Sequence, residues 1–323
     1  MQIVYLRSGI KKPFTFIDQM IIRACKTLEH NVITWSPGDE FDQNWDRMKG
    51  RISPQLILAM HGERLTPSNR QLLKSITLPK AIWFTDDPYA IDKAKTIAPF
   101  FDYIFTNESQ AVAIYQAQCP SASIHHLPLA VSSDTYQPRK QISKKYLSDL
   151  VMVGCGFENR IRFLKASGQS LRLMKTKLVG PGWSLFSEKG EVQVHPQWVS
   201  GLEANYYYCG AKMVLNLHRS HDDPHLKQNS QKIKAHTPNN RLFEIAACKS
   251  FQLIDHRPDL SSLYEMGKEI ISFSGVEDFL EKSKFYLPRV RLREQIAHAA
   301  YMRTRRDHSY EKRIQKILST CVL

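Results

Sequence analysis

Residues 236–259 read HTPNNRLFEIAACKSFQLIDHRPD, a pattern that predicts a helix followed by a buried strand. Thr237 can cap the helix, and Pro238 suits its first turn, where a missing N–H costs nothing. The apolar run 251–254 predicts the strand, and the polar residues 255–258 predict its exit loop. Helices and strands that alternate in this way are typical of an α/β domain built on a parallel sheet.

One side of the predicted helix carries Asn240, Glu244 and Cys248, spaced four residues apart, with Arg241 one turn before Glu244. The helix N-terminus presents free N–H groups and partial positive charge, which suit a phosphate. A carboxylate one turn deeper could accept hydrogen bonds from sugar hydroxyls. This layout fits a nucleotide-sugar site, although an ordinary amphipathic helix with a surface Arg241–Glu244 pair would carry the same residues.

The run PNNRLFEIAAC, continued by FQLIDHRPDLSSLYEMGKEIISFS, resembles the CgeB-like spore-maturation glycosyltransferases, which are related to the group 1 glycosyltransferases. The resemblance covers much of the C-terminal half and extends more weakly into the N-terminal half. It implies a GT-B architecture, in which two Rossmann-like α/β domains with parallel sheets face each other across a cleft. It also implies that the C-terminal helix, with its apolar stripe within residues 310–318, returns to the N-terminal domain.

The composition is that of a soluble globular chain with room for two domains, because 42% of its 323 residues are apolar and 24% are charged. No apolar run approaches the ~18–20 residues that a membrane span needs. The first residues lack the features of a signal peptide, so we expect a cytoplasmic protein. The six cysteines form no CxxC pair, which argues against a zinc knuckle or a disulfide framework.

The net charge of +14 is unusual and favours attraction to anionic partners. Nucleic acid, an anionic polymer or a lipid surface would each fit, and an ordinary role in solubility fits equally well. The charge therefore indicates an acceptor with anionic character without selecting among glycan, protein and nucleic acid. It gives no information on the oligomeric state.

In the N-terminal domain, predicted strands alternate with helices, and ligands of such sheets bind at the carboxyl ends of the strands. His61 follows an apolar strand and could act as a base or bind a hydroxyl, but it could equally bond to nearby backbone. Asp86 lies in an Asp-Asp-Pro string that could act as a base, hold a metal or start a helix. The string is not Asp-x-Asp, so no required metal is predicted.

The polar, basic segment 132–148 reads as a linker, after a predicted last strand at 127–130. We therefore expect an N-terminal acceptor-side domain at 1–140, completed by the C-terminal helix 308–323. Residues 141–307 are expected to form the C-terminal domain that binds the nucleotide sugar.

The second domain opens with a strand, a glycine turn containing Gly154 and Gly156, and a helix that starts near Asn159 and Arg160. Glycines allow the backbone to approach a ligand closely, and the helix start can face a phosphate. Two of the three Rossmann glycines are present, so the turn could also be a simple packing turn. CgeB-like proteins have a similar turn, and by that resemblance Arg160 would add positive charge beside the donor.

Two further strand exits supply candidate donor-binding residues. Gly182 and Trp183 follow one strand, where Trp183 could be the wall for a flat base or could plug the core. His218 and Arg219 follow another strand and would emerge beside the proposed site. The polar stretch 220–235 then predicts a mobile loop, whose His and Asp residues fit a solvated loop better than a metal site.

The resemblance to group 1 enzymes suggests that Glu244 binds the donor ribose, while Asn239, Asn240 and Arg241 hold donor phosphate or sugar hydroxyls. Group 1 enzymes commonly carry a second glutamate eight positions earlier, where this sequence has His236. This departure leaves the transferred sugar and the stereochemistry open.

The main hypothesis is a hexosyl transfer from a nucleotide diphosphate sugar, UDP-sugar in particular, to an unidentified acceptor. A glycosyltransferase that modifies nucleic acid would share the fold and use the positive charge. The sequence is also compatible with a non-catalytic nucleotide- or sugar-binding protein of the spore-coat type, and with a sugar epimerase of the same fold.

Overall fold

The computed structural model describes residues 1–37, 41–183, 192–223, 225 and 227–321. The chain divides into two compact units. The first unit consists of Met1–Leu129, Leu226–His236 and Tyr310–Leu323, and the second of Ala130–His225 and Thr237–Ser309. Within the described residues, no helix is both long and apolar enough to cross a membrane.

The first unit is built on a six-stranded parallel sheet in the order β2-β1-β3-β4-β5-β6. The strands are β1 (Gln2–Leu6), β2 (Asn31–Trp35), β3 (Leu56–Met60), β4 (Lys80–Phe84), β5 (Tyr103–Thr106) and β6 (Ser123–His126). The helices of this part are α1 (Phe14–Thr27), α2 (Phe41–Ile52), α3 (Pro67–Ser75), α4 (Ile91–Ile97) and α5 (Val112–Gln118). Every residue of the central strands β3 and β4 is buried, as expected for a parallel sheet covered on both faces.

The last strand of this sheet differs from the expectation. The predicted strand 127–130 is not a strand, and β6 lies immediately before it. Leu127 N still donates to Thr106 O at 2.7 Å, but Pro128 has no N–H to continue the ladder. Strand β6 lies at the edge of the sheet and has the polar sequence SIHH, so a search for apolar runs does not detect it.

The second unit carries another six-stranded parallel sheet, in the order β12-β11-β10-β7-β8-β9. The strands are β7 (Ser148–Val153), β8 (Thr176–Val179), β9 (Val192–His195), β10 (Ala211–Asn216), β11 (Gln252–Asp255) and β12 (Ile271–Phe273). The helices are α6 (Glu158–Ala166), α7 (Gly168–Arg172), α8 (Gly201–Gly210), α9 (Arg241–Ala247), α10 (Leu260–Leu263), α11 (Gly275–Tyr286) and α12 (Val290–Asp307). The strand order reverses between β7 and β10, which is where doubly wound sheets open a crevice for ligands.

The polar stretch 220–235 is expected as a mobile loop. Its described second half instead belongs to the first unit and is hydrogen-bonded to other residues of that unit. Ser230 donates to Asp92 from its N and its Oγ, at 2.8 and 2.9 Å. His236 N then donates to both carboxylate oxygens of Glu108, at 3.1 and 3.0 Å. These bonds hold residues 228–236 against the first unit, although the sequence of the stretch is almost devoid of core residues.

Helix α13 (Tyr310–Cys321) belongs to the first unit, which confirms the expected return of the C-terminal helix. Its apolar face is buried, with the Tyr310 ring 6.3 Å from that of Trp83. The buried Arg313 donates from Nε to Pro128 O at 2.7 Å and from Nη2 to Leu129 O at 3.0 Å. The guanidinium therefore joins α13 to the backbone that follows β6.

Arg313→Ala should lower the free energy of unfolding by about 2–3 kcal/mol, because it leaves two buried carbonyl groups without donors. The exposed Lys316 on the same helix provides the matched control, Lys316→Ala, which should change stability by less than about 0.5 kcal/mol. Urea denaturation of both variants measures the difference. Equal midpoints would show that Arg313 does not hold the helix.

Candidate functional site

Two glycine turns lie side by side at the carboxyl edge of the second sheet. Gly154 follows β7 with φ +143°, and Gly180 follows β8 with φ +130°. A Cβ on Gly180 would lie 2.5 Å from Gly154 O, and a Cβ on Gly156 would lie 2.7 Å from Gly182 O. The two turns thus pack backbone against backbone, and glycine is required because a side chain would force them apart.

Two arginines converge on the first of these turns. A Cβ on Gly154 would overlap the guanidinium of Arg241 and lie 3.3 Å from Nη1 of Arg160. Arg241 donates from Nη1 to Val153 O at 2.7 Å, and Arg160 donates from Nη1 to Cys155 O at 2.8 Å. Like charges this close repel one another, so an anion placed at the turn would be stabilised by both.

A third arginine shares an aromatic ring with Arg160. The guanidinium carbons of Arg160 and Arg219 lie 4.9 and 4.6 Å from the centroid of Phe157, within the range of cation–π attraction. Arg219 also pairs with Asp223 at 3.3 Å. Phe157, which immediately precedes α6, therefore organises two of the predicted donor-binding arginines. Sequence reasoning did not single it out, because an aromatic after a glycine turn is an ordinary core residue.

His218 is buried and connects two other residues of the site, Asp255 and Asn239. Its backbone N and its Nδ1 donate to Asp255 Oδ1 at 2.8 and 2.5 Å, and its Nε2 accepts from Asn239 N at 3.0 Å. This pattern requires the neutral ring with the proton on Nδ1. Burial lowers the His218 pKa to about 4, which keeps the ring neutral. The chain Asp255–His218–Asn239 thereby fixes the backbone that leads into α9.

The start of α9 differs from the expectation that Thr237 caps the helix. The helix begins at Arg241, and Asn240 is the residue before it. The Thr237 hydroxyl donates to Asp259 Oδ2 at 2.6 Å, three residues before the residue that precedes the helix. Asn239 N donates to the His218 ring, and the helix begins two residues later, at Arg241.

Glu244 is buried in the first turn of α9. Asn240 Nδ2 donates to its Oε1 at 2.5 Å, and Tyr136 donates a second hydrogen bond. Burial raises the Glu244 pKa to about 7, against the lowering effects of Arg241 and of the two hydrogen bonds. Tyr136 comes from the segment that the sequence marks as a linker, so its role emerges only from the fold.

Two amide oxygens of the predicted donor-binding residues are buried without a hydrogen-bond partner. Asn159 donates from Nδ2 to His218 O at 2.9 Å, and Asn239 donates from Nδ2 to Asn216 Oδ1 at 3.0 Å. Among the described residues, the Oδ1 atom of each amide accepts nothing. Unsatisfied buried acceptors are rare and often mark a ligand or water position, and these two suit the hydroxyl donors of a sugar.

Trp183 does not fit the predicted role as the wall for a base. Its side chain is completely buried, and its Nε1 donates to Gly154 O at 2.8 Å. The indole also fills the space under Gly156, where a Cβ would lie 2.9 Å from it. Trp183 therefore supports the glycine turns from the core side.

His61 lies at the carboxyl end of β3 in the first unit, in a left-handed conformation with φ +61°. Its Nε2 is 2.7 Å from Thr85 Oγ1, and the Phe14 ring meets it edge-on at 4.7 Å. Burial lowers the His61 pKa to about 3. A neutral ring with so low a pKa suits a hydrogen bond to a hydroxyl better than general-base catalysis near neutral pH.

Asp86 follows β4 and is half-buried, whereas its neighbour Asp87 is buried. Thr106 Oγ1 and the Tyr115 hydroxyl donate to Asp87 Oδ2 at 2.7 and 2.9 Å. Burial raises the Asp87 pKa to about 6. The Asp-Asp-Pro string does not cap a helix, because α4 begins at Ile91 and Ala90 precedes it. The string thus leaves Asp86 partly open to solvent and places Asp87 in the core.

Within the part of the chain that the structure describes, no group of three His, Cys, Asp or Glu side chains could hold a metal ion. Arg160, Arg219 and Arg241 supply positive charge at the strand exits of the second unit. The arrangement can bind an anion at the glycine turn and hydroxyl groups at the adjoining amides and at Glu244.

The glycosyl transferase-like family model matches residues 160–319 of this chain, a range that includes Arg160 and α9. The chain is 27% identical over 310 residues to the spore protein CgeB of Bacillus subtilis (strain 168), covering 94% of this chain and 93% of the relative. These matches confirm the resemblance to the CgeB-like glycosyltransferases that the sequence indicated.

Solved structures with the GT-B fold align over the whole chain. Sucrose-phosphate synthase from Thermosynechococcus elongatus has a TM-score of 0.69 at 10% identity, covering 99% of this chain and 98% of its own. An alpha-glucosyltransferase in complex with UDP and a 13-mer DNA containing a HMU base has a TM-score of 0.68 at 11% identity, with complete coverage of both chains. The expected GT-B fold is thus confirmed.

Glu244→Gln should stabilise the protein at pH 8 by about 2–3 kcal/mol, because it removes a buried carboxylate that is ionised above its pKa of about 7. The folded pKa lies above the reference value of 4.5, so the wild type loses stability as pH rises from about 4.5 to above 7. Below that window both proteins should be equally stable.

Thermal unfolding at about pH 4 and pH 8 measures this difference. Glu281→Gln, at an exposed position of α11, is the control and should leave the pH dependence unchanged. Equal stabilities of Glu244→Gln and wild type at pH 8 would contradict the raised pKa.

Proposed function

We propose that this protein transfers a hexosyl group from a UDP-sugar to an acceptor. The observation that carries the proposal is the convergence of the Arg241 and Arg160 guanidinium groups on Gly154. Gly154 has no side chain, so a diphosphate can approach its backbone and both cations at once. A neighbour with the same fold was solved with UDP, which supports this choice of nucleotide.

The reaction requires that the nucleoside diphosphate be a good leaving group. As the bond between the anomeric carbon and the diphosphate breaks, negative charge grows on the leaving oxygen. Arg160 and Arg241 are held in place by hydrogen bonds to Cys155 O and Val153 O, so they need little reorganisation when this charge appears. Preorganised cations are the largest contribution that such sites make to catalysis, and they supply it without requiring a metal.

The remaining donor contacts follow from the chemistry of the neighbouring groups. Glu244 accepts the ribose hydroxyls in its ionised form, and its raised pKa makes donor binding weaken as pH falls below about 7. Asn159, Asn239 and Asn240 bind sugar hydroxyls. Arg219 adds charge through its position over Phe157.

The acceptor binds the N-terminal unit in this proposal, as in the GT-B class. His61 serves there as a neutral hydrogen-bonding group for the acceptor hydroxyl, because its pKa is about 3. Asp86, half-buried after β4, is the group that can take the proton. The net charge of +14 favours an acceptor with anionic character.

Incubation with UDP-sugars should raise the melting temperature of the wild-type protein, since a ligand of the folded state stabilises it by mass action. Arg241→Ala should abolish this shift and lower kcat/KM for donor hydrolysis by about 100-fold or more. Arg241→Lys, which keeps the charge but loses the paired donors, should lie between the two.

Arg291→Ala removes an exposed arginine of α12 and is the control for charge alone. The melting temperature without ligand shows whether each variant is folded. A folded Arg241→Ala protein that binds and hydrolyses UDP-sugar like wild type would overturn the proposal.

A nucleic-acid acceptor is the second candidate, favoured by the net charge and by the neighbour solved with UDP and DNA. A polyanion bound through several phosphates loses affinity steeply with salt, by about 10³-fold or more between 50 and 200 mM for six or more contacts. Acceptor binding measured across this range tests the candidate. Affinity that does not change with salt would exclude it.

A further inference from the structure

Trp198 stands apart from the other tryptophans of the protein. Its side chain is 52% exposed, whereas Trp45, Trp83 and Trp183 are buried and Trp35 is half-buried. Exposed indole rings are uncommon because each holds a large apolar surface in water. The exposed indole offers a large planar apolar surface to a ligand.

The register of the sheet locates Trp198 relative to the glycine turns. Val153 of β7 pairs with Val179 of β8, and Val179 pairs with His195 of β9. The residues that follow these three strands therefore leave the same edge of the sheet in a row, and Trp198 comes three residues after His195. Two strand spacings separate the exits of β7 and β9, which is roughly 10 Å.

The residues after Trp198 connect it to helix α8, which contacts α9. Ser200 caps α8 by accepting from Glu203 N at 3.1 Å, so Trp198 stands two residues before a fixed helix start. Asn205 of α8 donates to Cys248 Sγ at 2.9 Å, at the end of α9. Helices α8 and α9 are therefore neighbours, and Trp198 and Glu244 belong to adjoining elements.

This placement matches the extended shape of a nucleoside diphosphate. The diphosphate occupies the Gly154 turn in the proposed function, and Glu244 takes the ribose. The base then lies beyond the ribose, along the strand exits. Trp183 cannot contact it, because its indole is buried beneath the turns. Trp198, which follows β9 along this edge, offers an exposed planar group in that direction.

We propose that Trp198 stacks on the base of the donor nucleotide and forms one wall of the base subsite. The proposal rests on the proposed function, which places the diphosphate at Gly154. Stacking buries the exposed indole face and the base together, and it accepts any planar heterocycle. It predicts affinity for the nucleotide base and leaves the choice among bases to other groups.

The test uses intrinsic fluorescence and two probes, UDP and inorganic pyrophosphate. UDP should quench the emission of the solvent-exposed tryptophan of the full-length protein, whereas pyrophosphate should bind with little quenching. Trp198→Phe should lose this quenching but keep UDP affinity within about threefold. Trp198→Ala should weaken UDP binding by roughly tenfold or more and leave pyrophosphate affinity unchanged.

Leu202→Ala, at another exposed apolar residue four positions further on, is the matched control and should bind both probes normally. UDP affinity that is unchanged in Trp198→Ala would overturn this proposal and leave the proposed function standing. A wild-type protein that binds neither UDP nor pyrophosphate would overturn both.

Discussion

The candidate site depends on the absence of side chains at Gly154 and Gly156. Their turn is pressed between the Gly180–Gly182 backbone on one side and the Arg241 and Arg160 guanidinium groups on another. A single Cβ at Gly154 would displace Arg241, and one at Gly156 would separate the turns. Helix α9, Trp183 and the exits of β7 and β8 all meet at this turn. The positions of these elements in the second unit therefore depend on it.

The site also concentrates electrostatic features that work against stability. Glu244 is buried with a pKa raised to about 7, and Arg160 and Arg241 crowd the same turn. The His218 ring is kept neutral so that it can join Asp255 to Asn239. Folding tolerates such groups because the two parallel sheets bury large apolar cores elsewhere. Strained or crowded groups of this kind cluster where ligands bind, since the ligand relieves the strain.

The sequence predicted site residues at most of the strand exits, but it predicted the wrong position for some of their side chains. Gly154, Arg160 and Arg241 could be selected because glycine turns and helix starts have local signatures. Trp183 was a plausible wall for a base until its burial placed it beneath the turn, and Trp198 had no local signal. Tyr136 lay in a segment whose polarity marked it as a linker, and only the fold brings it to Glu244.

The alternation of apolar and amphipathic runs predicts parallel α/β sheets from the sequence alone. The GT-B arrangement of two such domains was what the resemblance to the CgeB-like proteins implied. That resemblance rests on a run of residues near Asn239 and is likewise read from the sequence. Only the folded chain shows which side chains share space and which face solvent. The contacts of His218 with Asn239 and of Arg241 with Val153 join residues that lie 21 and 88 positions apart in the chain. No local pattern encodes such contacts, since they depend on which strands lie next to each other in the sheet.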